Sequence, residues 1–169
     1  VQDHFGGNAQ AFGWIQSSHG IGVVAGGLVL SMWGGFRRKV VTSQIGVVGI
    51  GIGHLVLGIT PGTLFGVALA AMFVSGFMLA FNGVIYAVVQ ITIAPEMQGR
   101  VFTLITSLAS AISPLSLAVA GPLAEVLGVR FWYVLGGIVC IVLGSVVLVI
   151  PSVVNAEQLA IERAAAQAG

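Results

Sequence analysis

Charge is what this sequence has least of: 6 Lys and Arg and 5 Asp and Glu in 169 residues, or 7% of the chain, against about 25% in soluble globular domains. A water-soluble domain is excluded on that ground. Cysteine occurs once, as Cys140, so no intrachain disulfide forms and there is no second thiol for a zinc or redox motif. The formal net charge of +1 gives nucleic acid no cationic surface to bind. Histidine is also sparse, 3 in all, and isolated histidines make no metal cluster. What the chain has in abundance is apolar residues, 57%, with 25 glycines. A mean hydropathy of +1.09 excludes a disordered chain as firmly as the charge count excludes a soluble one.

The charges fall in islands: Asp3; Arg37, Arg38 and Lys39; Glu96 and Arg100; Glu125 and Arg130; then Glu157, Glu162 and Arg163. Between them run uncharged stretches over 4–36, 40–95, 101–124 and 131–156, each at or beyond the ~20 residues a helix needs to cross the hydrocarbon core. The run from 40 to 95 is long enough for two spans, and Thr60-Pro61-Gly62-Thr63 is the breaker cluster that divides it. The pattern predicts an all-α membrane protein with five transmembrane helices at about 11–34, 40–59, 63–93, 101–124 and 131–150, since unpaired backbone in lipid is too costly for other open structures.

Lys and Arg set the expected orientation. With the N-terminus outside, Arg37, Arg38, Lys39, Arg100 and Arg163 lie on the cytoplasmic side and Arg130 alone outside. The chain opens on Val1 and enters its first span after one short segment, an arrangement that predicts further helices upstream. Residues 151–169, Ala-rich with a few charges, read as a cytoplasmic C-terminal tail carrying a short solvated helix with Asn155 at its N-cap.

Small residues four apart allow helix backbones to approach closely in lipid. Gly22 and Gly26, Gly49 and Gly53, Ser116 and Ala120, and Gly136, Cys140 and Gly144 have this spacing, on every predicted helix except the third. An offset of 94 positions lays Gly27 to Gly34 on Gly121 to Gly128, both G-x-x-x-[S/E]-x-x-G, each closing a helix and soon followed by arginine. With the expected topology the two copies have opposite orientation, as in the inverted repeats of secondary transporters.

Three segments carry a further likeness: Gly26 to Lys39, then Pro95-Glu96-Met97-Gln98-Gly99-Arg100-Val101, then Gly121 to Arg130. In this order they resemble the C-terminal half of a major facilitator superfamily exporter, in its bacterial macrolide-efflux and siderophore-exporter branch. The resemblance implies that the spans are helices 8–12 of a twelve-helix transporter whose N-terminal half is absent here. It implies a multi-pass inner-membrane protein that expels amphipathic small molecules of the macrolide or drug type by alternating access, coupled to protons. A siderophore or other metabolite exporter, and a truncated, non-transporting membrane anchor, are the alternatives. Its partners would be the lipid bilayer, the missing half and a small amphipathic substrate. Gly27, Gly34, Arg37, Arg38, Lys39, Glu96, Gly99 and Arg100 then belong to cytoplasmic loop motifs and their gate contacts, although Ser31 stands where that motif often has an acid.

Polar side chains at bilayer depth mark candidate sites, because they are costly unless they face protein or water. Asn82, Tyr86 and Gln90 fall on one side of the third span, and Thr103, Thr106, Ser107, Ser110 and Ser113 on one side of the fourth. At 1.5 Å per residue Asn82 and Ser113 lie roughly 17–18 Å from the cytoplasmic ends, near the midplane. The expectation is a substrate cavity lined by Asn82, Tyr86, Gln90, Thr103, Ser107, Ser110 and Ser113, with Pro114 kinking the fourth helix. The competing reading has the Ser and Thr hydroxyls bonding back along their own helix and Asn82 gluing two helices together.

His19 and His54 are equidistant from the first cytoplasmic turn, which puts them at one depth in an antiparallel hairpin and makes them candidate proton sites. No Asp or Glu lies within any predicted span, so proton coupling must use these histidines or the absent half. Enzyme chemistry finds no support: Ser75-Gly76 lacks the glycine two places earlier that a G-x-S-G nucleophile would carry, and no base–oxyanion arrangement is visible. No cofactor motif is present.

Overall fold

A computed structural model describes residues 9–36, 38–61, 63–93 and 95–150. They form six helices: α1 Ala9–Trp33, α2 Lys39–Ile59, α3 Phe65–Asn82, α4 Val84–Thr92, α5 Pro95–Leu127 and α6 Val129–Val149. No strand occurs among the described residues. Five spans are long and apolar enough to cross a membrane, with α3 and the start of α4 counting as one, Phe65–Ala87.

The distribution of side chains is inverted relative to a water-soluble fold. The largest fully buried side chains are Thr42, Ser43 and Ser75, whereas Met32 is 89% exposed, Val126 81% and Leu117 74%. Such a surface would be intolerable in water and is ordinary in lipid, where polar groups face protein and apolar ones face acyl chains. The protein is an all-α, multi-pass membrane protein.

The helices pack in the order α1, α3, α2, α6, with α3 between α1 and α2, and α2 between α3 and α6. α1 and α2, although consecutive, therefore do not form the packed hairpin expected for them. Small residues explain the order. A Cβ on Gly22 or Gly26 of α1 would collide with the backbone of Phe73 and Phe77 of α3, and one on Gly76 with the carbonyl of His19. On α2, a Cβ on Gly46 or Gly53 would come within 2.7 Å of Met78 O or Ala71 O of α3, while Gly51 and Gly58 face α6. Two expected seams change. Gly136 faces open space, and it is Gly137, one position and about 100° further round the helix, whose Cβ would fall 2.8 Å from Gly51 O. α3, which was expected to carry no seam, is the central helix, and Ala68, Ala71, Ser75 and Gly76 are buried along it. A small core of Ile15, Leu57, Ala68, Ala71 and Met72 closes the junction of α1, α2 and α3.

The third and fourth spans differ from the sequence expectation. The third span is not one helix over 63–93: it steps at Gly83, whose N–H reaches both Leu79 O and Ala80 O at 3.2 Å while its own carbonyl accepts from Tyr86 N at 3.2 Å. This is a local i→i+3 tightening at a residue with poor helix propensity. The fourth span begins at Pro95 rather than 101, because proline is well placed in a first helical turn, where its missing N–H costs nothing. Glu96, Gly99 and Arg100 accordingly sit in the first turns of α5 and not in a loop. Gly27, likewise, lies within α1. The predicted tail, 151–169, and Arg37 lie outside the described residues.

Candidate functional site

The polar stripe on the third span is split between two neighbours. Asn82, at the end of α3, is half-buried, and its Oδ1 accepts a hydrogen bond from Ser43 Oγ of α2 at 2.9 Å. That contact is the helix-gluing role. Tyr86 and Gln90, beyond the step at Gly83, are exposed on α4, which leans on α2. The Gln90 carbonyl accepts from Gln98 Nε2 at 2.7 Å, and the same amide donates to Ile93 O at 3.0 Å. Gln98 thus satisfies carbonyls left over at the end of α4 and fixes the α4–α5 turn.

α5 carries the second stripe, and Thr103, Ser107, Ser110 and Ser113 are all exposed on it. Among the described residues neither α3 nor α4 packs along α5, which touches α6 instead. The two stripes are therefore not brought together within this part of the molecule. Some hydroxyls turn inward on their own helix: Thr106 Oγ1 donates to Phe102 O at 2.8 Å, and Ser113 Oγ to Ala109 O at 3.0 Å. Ser110 differs. Pro114 has no N–H, so the i→i−4 bond to the Ser110 carbonyl is absent, and the level of Ser110 presents both a hydroxyl and that carbonyl. α5 runs on through Pro114 and Pro122 without interruption.

A second polar cluster lies where α2, α3 and α6 meet. His54 Nδ1 is 2.9 Å from Ile50 O, one turn back on α2, and 3.2 Å from the Oγ of the fully buried Ser75 on α3. The Tyr133 ring of α6 lies against the imidazole, with centroids 5.8 Å apart and planes at 32°. A cleft of about 430 Å³ opens beside this cluster, lined by His54, Trp132 and Tyr133 and, from α5, by Ala120, Gly121 and Ala124. His19 sits at the same level on the other side of α3, its carbonyl packed on Gly76, next to Ser75. The equal depth inferred for the histidines holds, but α3 stands between them.

Cations complete the helix ends. Lys39 Nζ donates to Gly34 O at 2.6 Å, just beyond the C-terminus of α1, and the buried Thr42 Oγ1 accepts from Phe36 N at 2.9 Å. Arg38 is exposed. At the opposite end of the bundle Arg130 donates to the carbonyls of Gly58, Ile59 and Thr60, at 3.0, 3.1 and 3.1 Å. A guanidinium at the C-terminus of α2 satisfies orphan carbonyls and opposes the negative end of the helix dipole. Glu96 lies in the first turn of α5, where a carboxylate is favoured for the converse reason.

Ser43, Ser75, Gln98 and Tyr133 organise these contacts, and sequence reasoning assigned none of them a role. For Ser75 a signal existed, since it is a lone hydroxyl in a strongly apolar run.

No family model matches the chain, and no solved structure matches it. Curated relatives do. The chain is 30% identical over 142 residues to macrolide efflux protein A of Streptococcus pyogenes, a match covering 82% of this chain and 35% of that protein. It is 29% identical over 140 residues to the multidrug efflux pump Tap of Mycolicibacterium fortuitum, covering 82% and 34%. To macrolide efflux protein A of Enterococcus faecalis it is 28% identical over 116 residues, covering 68% and 36%. The resemblance to macrolide-efflux exporters carried by the three motifs is borne out at this level, and the chain spans about a third of the length of the relatives it matches.

Proposed function

We propose that this chain is the C-terminal part, helices eight to twelve, of an inner-membrane exporter that expels macrolide-like amphipathic molecules by alternating access, driven by protons. Its N-terminus faces outward and its C-terminus the cytoplasm, the orientation favoured by the cationic ends at 38–39 and 100. The observation that carries the reading is the hydroxyl stripe of α5. Thr103, Ser107, Ser110 and Ser113 are exposed along a helix that, among the described residues, neither α3 nor α4 flanks. Hydroxyls at bilayer depth are at home against water or protein and not against acyl chains. In a relative of efflux proteins, a face of this kind supports a substrate path completed by the rest of the transporter, with the hydroxyl and freed carbonyl at Ser110 as polar contacts near the midplane.

The test uses the full-length protein in an efflux-deficient bacterium. Cys140 is first replaced by serine, and single cysteines are placed at Ser107, Ser110 and, on the opposite face of α5, Ile112. The cavity reading expects a membrane-impermeant maleimide to label the first two and not the third, with erythromycin slowing the labelling. Ser110→Leu is expected to lower macrolide resistance at unchanged expression. Equal labelling at all three sites, together with unchanged resistance in Ser110→Leu, would retire it.

A further inference from the structure

We propose that His54 is the proton-binding residue of this membrane domain, and that it takes up its proton at Nε2 from the cleft between α2, α5 and α6. The inference rests on the transport reading above for its purpose but not for its chemistry. Within the described spans the Asp and Glu side chains are Glu96 and Glu125, in the first and last turns of α5, so the imidazoles of His19 and His54 are the basic side chains at depth.

Geometry separates the two histidines. A carbonyl oxygen only accepts, so the 2.9 Å contact between Ile50 O and His54 Nδ1 requires a proton on Nδ1. Ser75 Oγ, 3.2 Å from the same nitrogen, takes a second branch of that N–H. Neutral His54 is thereby held as the Nδ1–H tautomer, and its remaining basic atom is Nε2. The ring is fixed from three sides, by its own helix, by the buried Ser75 and by Tyr133. His54 also lines a cleft large enough for water. Protonation forms one N–H bond at Nε2, breaks none in the protein and raises the local charge by one.

The surrounding charges are few. α3 has no ionisable side chain, and α4 has Tyr86 alone. α6 contributes Tyr133, Cys140 and Arg130, whose guanidinium is engaged one turn beyond His54 by the carbonyls of residues 58–60. α5 contributes Glu125, adjacent to the cleft-lining Ala124. Glu125 and Arg130 thus flank the α5–α6 turn, at the end of the cleft marked by Ala124 and Val129.

Two measurements on the full-length protein in liposomes test this. In ¹⁵N NMR of histidine-labelled protein, with His54→Gln used to assign the signal, His54 is expected to show a protonated Nδ1 and a bare Nε2 at high pH. Acidification should add the second proton at Nε2. An Nε2–H tautomer at high pH, or an Nε2 that stays bare on acidification while the protein remains folded, overturns the proposal. Erythromycin is the probe for the second measurement. His54→Gln should reduce pH-gradient-driven transport about tenfold while gradient-free counterflow persists, and His19→Gln should keep both. Gradient-driven transport in His54→Gln equal to the wild type removes the proposal and leaves the exporter reading intact. A wild type that titrates at His54 but moves no macrolide removes the exporter reading instead.

Discussion

Gly34 and Gly128 stand 94 positions apart and both have a positive φ, of 76° and 80°. In each, the amide closes on the carbonyl four residues back: Gly34 N to Leu30 O at 2.7 Å, Gly128 N to Ala124 O at 3.0 Å. The two carbonyls are themselves 94 apart, so the repeat visible in the sequence is repeated as a helix terminus. A glycine at that position lets the helix stop in the left-handed region without a Cβ clash.

Substitution at either glycine should therefore be unfavourable even though no side chain crowds Gly34 or Gly128. Gly34→Ala and Gly128→Ala are each expected to cost about 1–3 kcal/mol. Steric-trapping or detergent unfolding of the full-length protein measures this; wild-type stability in both variants would show that the conformation is not what matters.

The Ser43–Asn82 bond makes a different demand. Ser43→Ala leaves Asn82 Oδ1 without its donor inside the α2–α3 interface. The expected loss is about 0.5–1.5 kcal/mol, with a comparable coupling energy in a cycle with Asn82→Ala. Additive effects of the two substitutions would show that the contact is energetically idle.

Neighbouring glycines on α1 should respond oppositely. Gly26 is closed by the backbone of Phe77, whereas Gly27, which belongs to the conspicuous sequence motif, has nothing near it. Gly26→Ala is expected to separate α1 from α3 and cost about 1–3 kcal/mol, as overpacking does. Gly27→Ala should be neutral or gain up to about 1 kcal/mol from helix propensity. Thermal stability in detergent distinguishes them.

These glycines also show how far the sequence could be read. Charge islands located the spans to within a few residues, because the cost of burying a charge in lipid is written in composition. Seams were visible as small residues at helical spacing, as at Gly22, Gly26, Gly49 and Gly53. Which helix each seam meets was not visible. α1 packs on α3 and not on its neighbour α2, a choice made by the shapes of both surfaces, and a one-residue error in phase at Gly136 and Gly137 turned a seam outward. The polar candidates followed the same rule. Asn82 was legible as a costly group at depth, but its partner Ser43 lies 39 residues away, and no periodicity couples the two. The α5 stripe was legible as a face, although the surface opposite it is not supplied by α3 or α4.

Arg130 gives the last expectation. It heads α6 and binds three carbonyls at the C-terminal end of α2, so it joins two helices as well as anchoring an interface. Arg130→Met retains much of the apolar stem but leaves the carbonyls of Gly58, Ile59 and Thr60 to water. Because the side chain is exposed, the loss should be about 1–2 kcal/mol, below that of a buried charged network. Lysine presents a point charge in place of a planar fork and should recover only part of it. If Arg130 served topology alone, lysine would restore stability fully. Comparing Arg130→Met and Arg130→Lys in the same unfolding assay, with sidedness of residue 39 checked by labelling, separates the fork from the charge.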